Sequence, residues 1–145
     1  MLFKSQKPEG PINDFDWLPN GKSFIVNSGH QPAKTESFNN EGVFVKEISV
    51  SKTNTLRISP DSRVLCLAGF GNLGGDMEFY NLEDKNLTMI GKTKFYCGVS
   101  INWSLDSKFV LVSVLSPRLR VDNEFKVIIV LLIRDIYIQW HFDTE

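Results

Sequence analysis

The chain has 145 residues, of which 42% are hydrophobic, a length that suits one domain and an apolar share that suits an ordinary packed core. Its formal net charge of −1 excludes the strongly basic signature of a dedicated nucleic-acid domain, so any RNA contact has to use a local patch. The longest apolar run, Val127-Ile128-Ile129-Val130-Leu131-Leu132-Ile133, falls far short of the roughly 20 residues of a membrane-spanning helix.

Residues 1–9 form a lead-in, Met1-Leu2-Phe3-Lys4-Ser5-Gln6-Lys7-Pro8-Glu9, that lacks the apolar centre of a signal peptide. The expected protein is soluble and cytoplasmic, with no membrane partner. From Gly10 onward a pattern repeats. Phe15 and Trp17 alternate with Asp14 and Asp16, which predicts a strand with the aromatics inward and the carboxylates outward. Trp17-Leu18-Pro19-Asn20-Gly21 then reverses the chain with turn residues, and Phe24-Ile25-Val26 returns as an apolar strand. Ala33 to Phe38 and Val43 to Val50 read as two further strands.

The same unit recurs. Leu56 and Ile58 lead into Ile58-Ser59-Pro60-Asp61-Ser62 and then Leu65-Cys66-Leu67, with Met77 to Asn81 and Thr88 to Thr93 as the closing strands. Ile101 and Trp103 lead into Trp103-Ser104-Leu105-Asp106-Ser107 and then Val110-Leu111-Val112. The spacing is 41 residues from Trp17 to Ile58 and 45 from Ile58 to Trp103. A four-stranded repeat of roughly 40–45 residues, with no sustained helical period, is the signature of a propeller blade. The expected fold is all-β: about three WD40-like four-stranded blades of an incomplete β-propeller, at roughly 10–50, 51–96 and 97–126. Residues 127–145 depart from the earlier blade ends and read as an atypical C-terminal strand or tail. Closed propellers have about 4–8 blades. Three leave open edges and uncovered apolar faces, so the chain is expected to belong to a larger protein or to pair with something else, and to aggregate when isolated.

Between the second and third strands of the middle unit lies Gly69-Phe70-Gly71-Asn72-Leu73-Gly74-Gly75. Its first six residues match the spacing of a dinucleotide-binding loop, but that loop needs a helix opening directly behind it. Asp76-Met77-Glu78-Phe79-Tyr80 alternates as a strand instead, so the segment reads as a hairpin connection and no cofactor is expected. Cys66 and Cys97 have no CxxC partner; both read as small buried hydrophobes in a reducing compartment. His30 lacks a second ligand at metal spacing, and no nucleophile–base pair or Gly-x-Ser-x-Gly is present. Neither metal nor catalytic residues are expected; the protein reads as a non-enzyme. The aromatic set Phe15, Trp17, Phe24, Phe70, Phe79, Tyr80, Trp103 and Phe109 reads mostly as core, with Phe70 the member able to reach a surface.

Three segments exceed a generic blade: Gly29-His30-Gln31-Pro32-Ala33-Lys34, the glycine-rich stretch Leu67 to Glu78, and Pro117-Arg118-Leu119-Arg120-Val121-Asp122-Asn123. With Gly10-Pro11-Ile12-Asn13-Asp14 they resemble the eukaryotic translation initiation factor 2A family, over roughly Gly10 to Val127. Gly74 departs from it, standing where the family more often has arginine. The resemblance implies a fragment of a propeller-bearing factor, without its earlier blades and basic C-terminal region, that associates with the small ribosomal subunit and assists initiator tRNA delivery. The implied partners are that subunit, initiator tRNA or mRNA, and other initiation factors. The competing function is a WD-repeat protein–protein scaffold without RNA contact.

Arg118 and Arg120, two apart, project from one face if Leu119 is in a strand, and guanidinium forks match phosphate oxygens. The alternative is pairing with Asp122 or Glu124. Lys34, Asn72 and Phe70 complete the candidate RNA or ribosome contacts; for Lys34 a solvated charge, and for Asn72 a turn-stabilising role, are the competing readings.

Overall fold

A computed structural model describes residues 10–114, 125–130 and 137–142. The alternating segments form strands β1 (Ile12–Trp17), β2 (Ser23–Ser28), β3 (Ala33–Asn39), β4 (Phe44–Ser51), β5 (Thr55–Ile58), β6 (Val64–Ala68), β7 (Asp76–Asn81), β8 (Met89–Lys94), β9 (Ser100–Trp103), β10 (Phe109–Ser113), β11 (Phe125–Val130) and β12 (Tyr137–Phe142). They pair as three antiparallel meanders, β1-β2-β3-β4, β5-β6-β7-β8 and β9-β10-β11-β12. No helix occurs among the described residues, so none there is long and apolar enough to cross a membrane. The third sheet is completed by β11, which starts at Phe125 and runs across residue 126 to Val130, and by β12.

The repeat seen in the sequence is a repeat of register. Trp17 pairs with Phe24, Ile58 with Leu65 and Trp103 with Val110. Each pentapeptide closes the same tight turn: Gly21 N–H donates to Leu18 O, Ser62 to Ser59 and Ser107 to Ser104, at 2.8–2.9 Å. The turn needs a left-handed residue, with φ of 67° at Gly21, 64° at Ser62 and 60° at Ser107. Glycine takes that conformation without strain, whereas serine does so only where its surroundings hold it. In the last two turns the hydroxyls of Ser59 and Ser104 each accept a backbone N–H, from Val64 and Phe109.

The sheets stack face to face, and the core sits between them. Ile25, Leu56, Ile58, Leu65, Leu67 and Tyr80 fill the space between the first two blades. A larger cluster that includes Val64, Cys66, Phe79, Ile101, Val110 and Val112 joins the second to the third, with the Phe79 and Trp103 rings edge to face. Polar clasps set the register of neighbours. Asp14 Oδ2 accepts the N–H of Leu56 at 2.9 Å and Arg57 Nη1 at 2.7 Å, and Asp16 Oδ2 lies 3.4 Å from the N–H of Ile58. Trp103 Nε1 donates to Arg57 O at 3.2 Å, and Ser107 Oγ accepts the N–H of Asp61 at 3.0 Å.

Two expectations therefore reverse. Asp14 and Asp16 are not solvent-facing carboxylates; they grip the inner strand of the next blade. Phe15 and Trp17 are 62% and 48% exposed, while their equivalents Leu56, Ile58 and Ile101 are buried. The reason is position: those side chains point away from the second sheet, and no described residues stack on that face of the first sheet. Trp17, Phe24, Phe38 and Phe44 form an aromatic row across all four strands of that face, with ring centroids 5.0–6.1 Å apart. Phe109, which alternates with buried Val110 on β10, is exposed on the face of the third sheet turned away from the second.

A buried polar chain crosses between the first two blades. Asn27 Nδ2 donates to Thr35 and Thr53, whose hydroxyl lies 3.2 Å from that of Ser51, itself 3.2 Å from Ser49. The Tyr80 hydroxyl is 3.0 Å from both Ser49 Oγ and Glu78 Oε2. A carboxylate only accepts, so the single phenolic proton goes to Glu78. Burial pushes the Tyr80 phenol up to about 12, against the Ser49 hydroxyl, which lowers it, and with the Glu78 charge. Lys92 Nζ closes the chain 3.4 Å from Glu78 Oε1.

Candidate nucleic-acid interface

In an antiparallel meander the second-to-third-strand loop lies at the same end of the blade as the crossover to the next blade. The β2–β3 loop, the β4–β5 crossover, the β6–β7 loop and the β8–β9 crossover therefore share one end. Two of the three segments that stand out in the sequence, 29–34 and the glycine-rich stretch, fall there. Ser113 and Phe125, which bracket Arg118 and Arg120, are paired with each other, and Ser113 is paired with Ser100 at the start of β9, at this same end. Arg118 and Arg120 themselves lie outside the described residues.

The loops are stitched sideways into a rim. Gln31 Nε2 donates to Thr53 O at 3.0 Å. Asn54 is bonded twice to Phe70, its Nδ2 donating to Phe70 O and its Oδ1 accepting Phe70 N–H, at 3.0 and 2.9 Å. The glycines are here for close approach. At Gly75, φ is +77° and a Cβ would lie 2.4 Å from Phe95 O, while Phe95 N–H donates to Gly75 O at 2.8 Å. Such a backbone contact admits no side chain. The loop joins β6 to β7 as a hairpin connection and also touches both flanking crossovers, at Asn54 and at Gly98.

Phe70 is the site expectation the structure overturns. Its ring is 4% exposed and packs on Gly98, where a Cβ would come within 2.6 Å of it. The sequence neighbourhood of glycines suggested a loop tip; instead the loop folds Phe70 under the following crossover. Asn72 is exposed at the tip, and Lys34 is exposed at the start of β3. Cys97, expected to be buried, is exposed, whereas Cys66 is fully buried and burial pushes its thiol up. Among the described residues no cluster of His, Cys, Asp and Glu could hold a metal ion.

Sequence reasoning passed over two groups. Lys52 is exposed on the β4–β5 crossover beside Gly69. Tyr96 is 66% exposed, with Lys94 Nζ 5.3 Å from its ring centroid and 3.6 Å from Asp76 Oδ1. The Lys94 stem lies 4.0 Å from where a Cβ on Gly74 would sit. Nothing in periodicity marked Tyr96, because crossovers lack it.

Charge separates the two ends. Residues 29–34, 52–54, 69–76 and 94–99 carry three cations, Lys34, Lys52 and Lys94, against one carboxylate, Asp76. The loops at the opposite end, 18–22, 40–43, 59–63, 82–88 and 104–108, carry four cations against five carboxylates. There Arg63 is paired with Glu83 at 3.3 Å. A nearly neutral chain thus presents one cationic rim, which is the arrangement that attracts phosphate.

Residues 3–130 match the family described as "Eukaryotic translation initiation factor eIF2A". The chain is 42% identical over 120 residues to a Dictyostelium discoideum protein named "Eukaryotic translation initiation factor 2A", covering 83% of this chain and 19% of that one. Its fold is similar to a solved structure described as "Crystal structure of the eukaryotic initiation factor", with TM-score 0.75 and 41% identity, over 82% of this chain and 29% of the other. A β-propeller domain of Swd1 from Myceliophteria thermophila matches at TM-score 0.67 and 9% identity, which shows the fold alone, over 93% of this chain and 38% of that one. The chain spans about a fifth of the length of the curated relative, and it forms an incomplete, unclosed propeller arc. The chain belongs to the eukaryotic translation initiation factor eIF2A family.

Proposed function

We propose that this chain is the part of a translation initiation factor that contacts RNA of the small ribosomal subunit through the rim carrying Lys34, Lys52, Asn72 and Lys94, with Arg118 and Arg120 added from the β10–β11 connection. Family membership supports the role in initiation. The observation that carries the RNA contact is the charge difference between the two ends: a cationic rim here, a paired and slightly acidic one opposite. On this reading the rim holds phosphate while the factor assists initiator tRNA delivery in the cytoplasm.

Co-sedimentation with small ribosomal subunits across a salt series tests this. Phosphate contacts release counterions, so binding should weaken steeply as salt rises, and Arg118→Glu with Arg120→Glu, or Lys34→Glu with Lys52→Glu, should weaken it further. Salt-insensitive binding that survives both double variants would mean a protein-only scaffold whose exposed apolar faces make the contact.

A further inference from the structure

We infer that Tyr96, with Lys94 beside it, is a stacking platform for one unpaired nucleotide; this rests on the rim's contact with RNA and names the chemistry it recognises. Tyr96 is 66% exposed outside the open blade faces, and a tyrosine ring with a cation beside it is a surface on which a base can stack. Unlike Phe15 and Trp17, it does not lie where a neighbouring blade would stack.

It is also held in place from both sides. Phe95 is buried and its N–H donates to Gly75 O at 2.8 Å, and Gly98 is packed beneath the Phe70 ring. Cys97 between them has φ of 59°, fixing the turn. The phenol ring is therefore presented on a pinned crossover, so little conformational freedom is lost when a flat ligand covers it.

The surroundings favour a base over a peptide. Lys94 Nζ stands over one face of the ring, 5.3 Å from its centroid, so a cation already accompanies the aromatic face, and exposed Asn72 lies on the adjoining glycine-rich loop with Gly74. A base stacks on the ring face opposite Lys94, and Lys94, exchanging Asp76 for phosphate, neutralises the backbone. Single-strand binders combine a π-face with nearby cations in this manner.

The test uses the full chain and a fluorescein-labelled single-stranded oligouridylate, read by anisotropy. Tyr96→Ala should weaken binding about tenfold, the lower-middle range of base–aromatic stacking. Tyr96→Phe should bind like the parent, because stacking uses the ring and not the hydroxyl; Lys94→Gln should weaken binding and flatten its salt dependence. Photocrosslinking with 4-thiouridine in place of uridine should mark Tyr96. If Arg118→Glu/Arg120→Glu weakens binding while Tyr96→Ala does not, and crosslinks fall elsewhere, the platform is wrong and the rim stands. If the parent chain shows no salt-dependent RNA binding, both fall.

Discussion

Replacing Asp14 by alanine removes the clasp between the first two blades. The carboxylate accepts the N–H of Leu56, a residue with no exposed surface, at 2.9 Å, and pairs with Arg57 Nη1 at 2.7 Å. Losing the acceptor leaves a buried donor unsatisfied, which costs about 1–3 kcal/mol. The ion pair adds little, since the Arg57 side chain is 42% exposed; such screened pairs contribute about 0.2–1 kcal/mol. Asp14→Ala should therefore destabilise by about 2–3 kcal/mol. Asp14→Asn keeps an oxygen for Leu56 and loses only the charge, so it should cost about 1 kcal/mol or less. Urea unfolding followed by tryptophan fluorescence gives the totals, and amide exchange at Leu56 localises them. Equal costs for the two variants, or an unchanged Leu56 exchange rate in Asp14→Ala, would refute the assignment of the energy to that hydrogen bond.

Further outcomes follow from the same contacts. Gly75→Ala drives a Cβ to 2.4 Å from Phe95 O at positive φ and should destabilise by more than about 1 kcal/mol, read as a lower urea midpoint. In the folded chain iodoacetamide should alkylate exposed Cys97 and spare Cys66, whose thiol burial holds in the protonated form; labelling of Cys66 at neutral pH should appear only with unfolding. Tyr80 is raised from 10.0 to about 12 on folding, so its contribution is fully present below pH 10 and lost as pH rises toward 12; Tyr80→Phe should show less of that alkaline loss in a pH series of urea midpoints. Phe15→Ser with Trp17→Ser should reduce self-association in sedimentation velocity, because both rings are exposed on the unpartnered aromatic face.

Much of the blade structure was legible in the sequence, because side-chain alternation and turn chemistry are local. The Trp17, Ile58 and Trp103 positions took equivalent registers, and the alternation after the glycines formed strand β7 as read. What failed were statements about partners across blades. Asp14 and Phe15 alternate as expected on their strand, yet which of the two faces is covered depends on which side has a neighbour, and periodicity carries no such sign. Phe70 was misjudged for a related reason: glycines mark close backbone approach without saying what approaches.

By itself the sequence determined the strand pattern and the three turns, since each depends on residues within a few positions of one another, and the family, through short motifs read one by one along the chain. Only the tertiary structure decided that the glycine-rich stretch and the 29–34 segment share one cationic rim, that Asp14 and Asp16 bind the next blade, and that Tyr96 stands clear of the core. Those facts depend on how sheets stack, which brings together loops some 40 residues apart, a separation set by blade size rather than by any pattern within a blade.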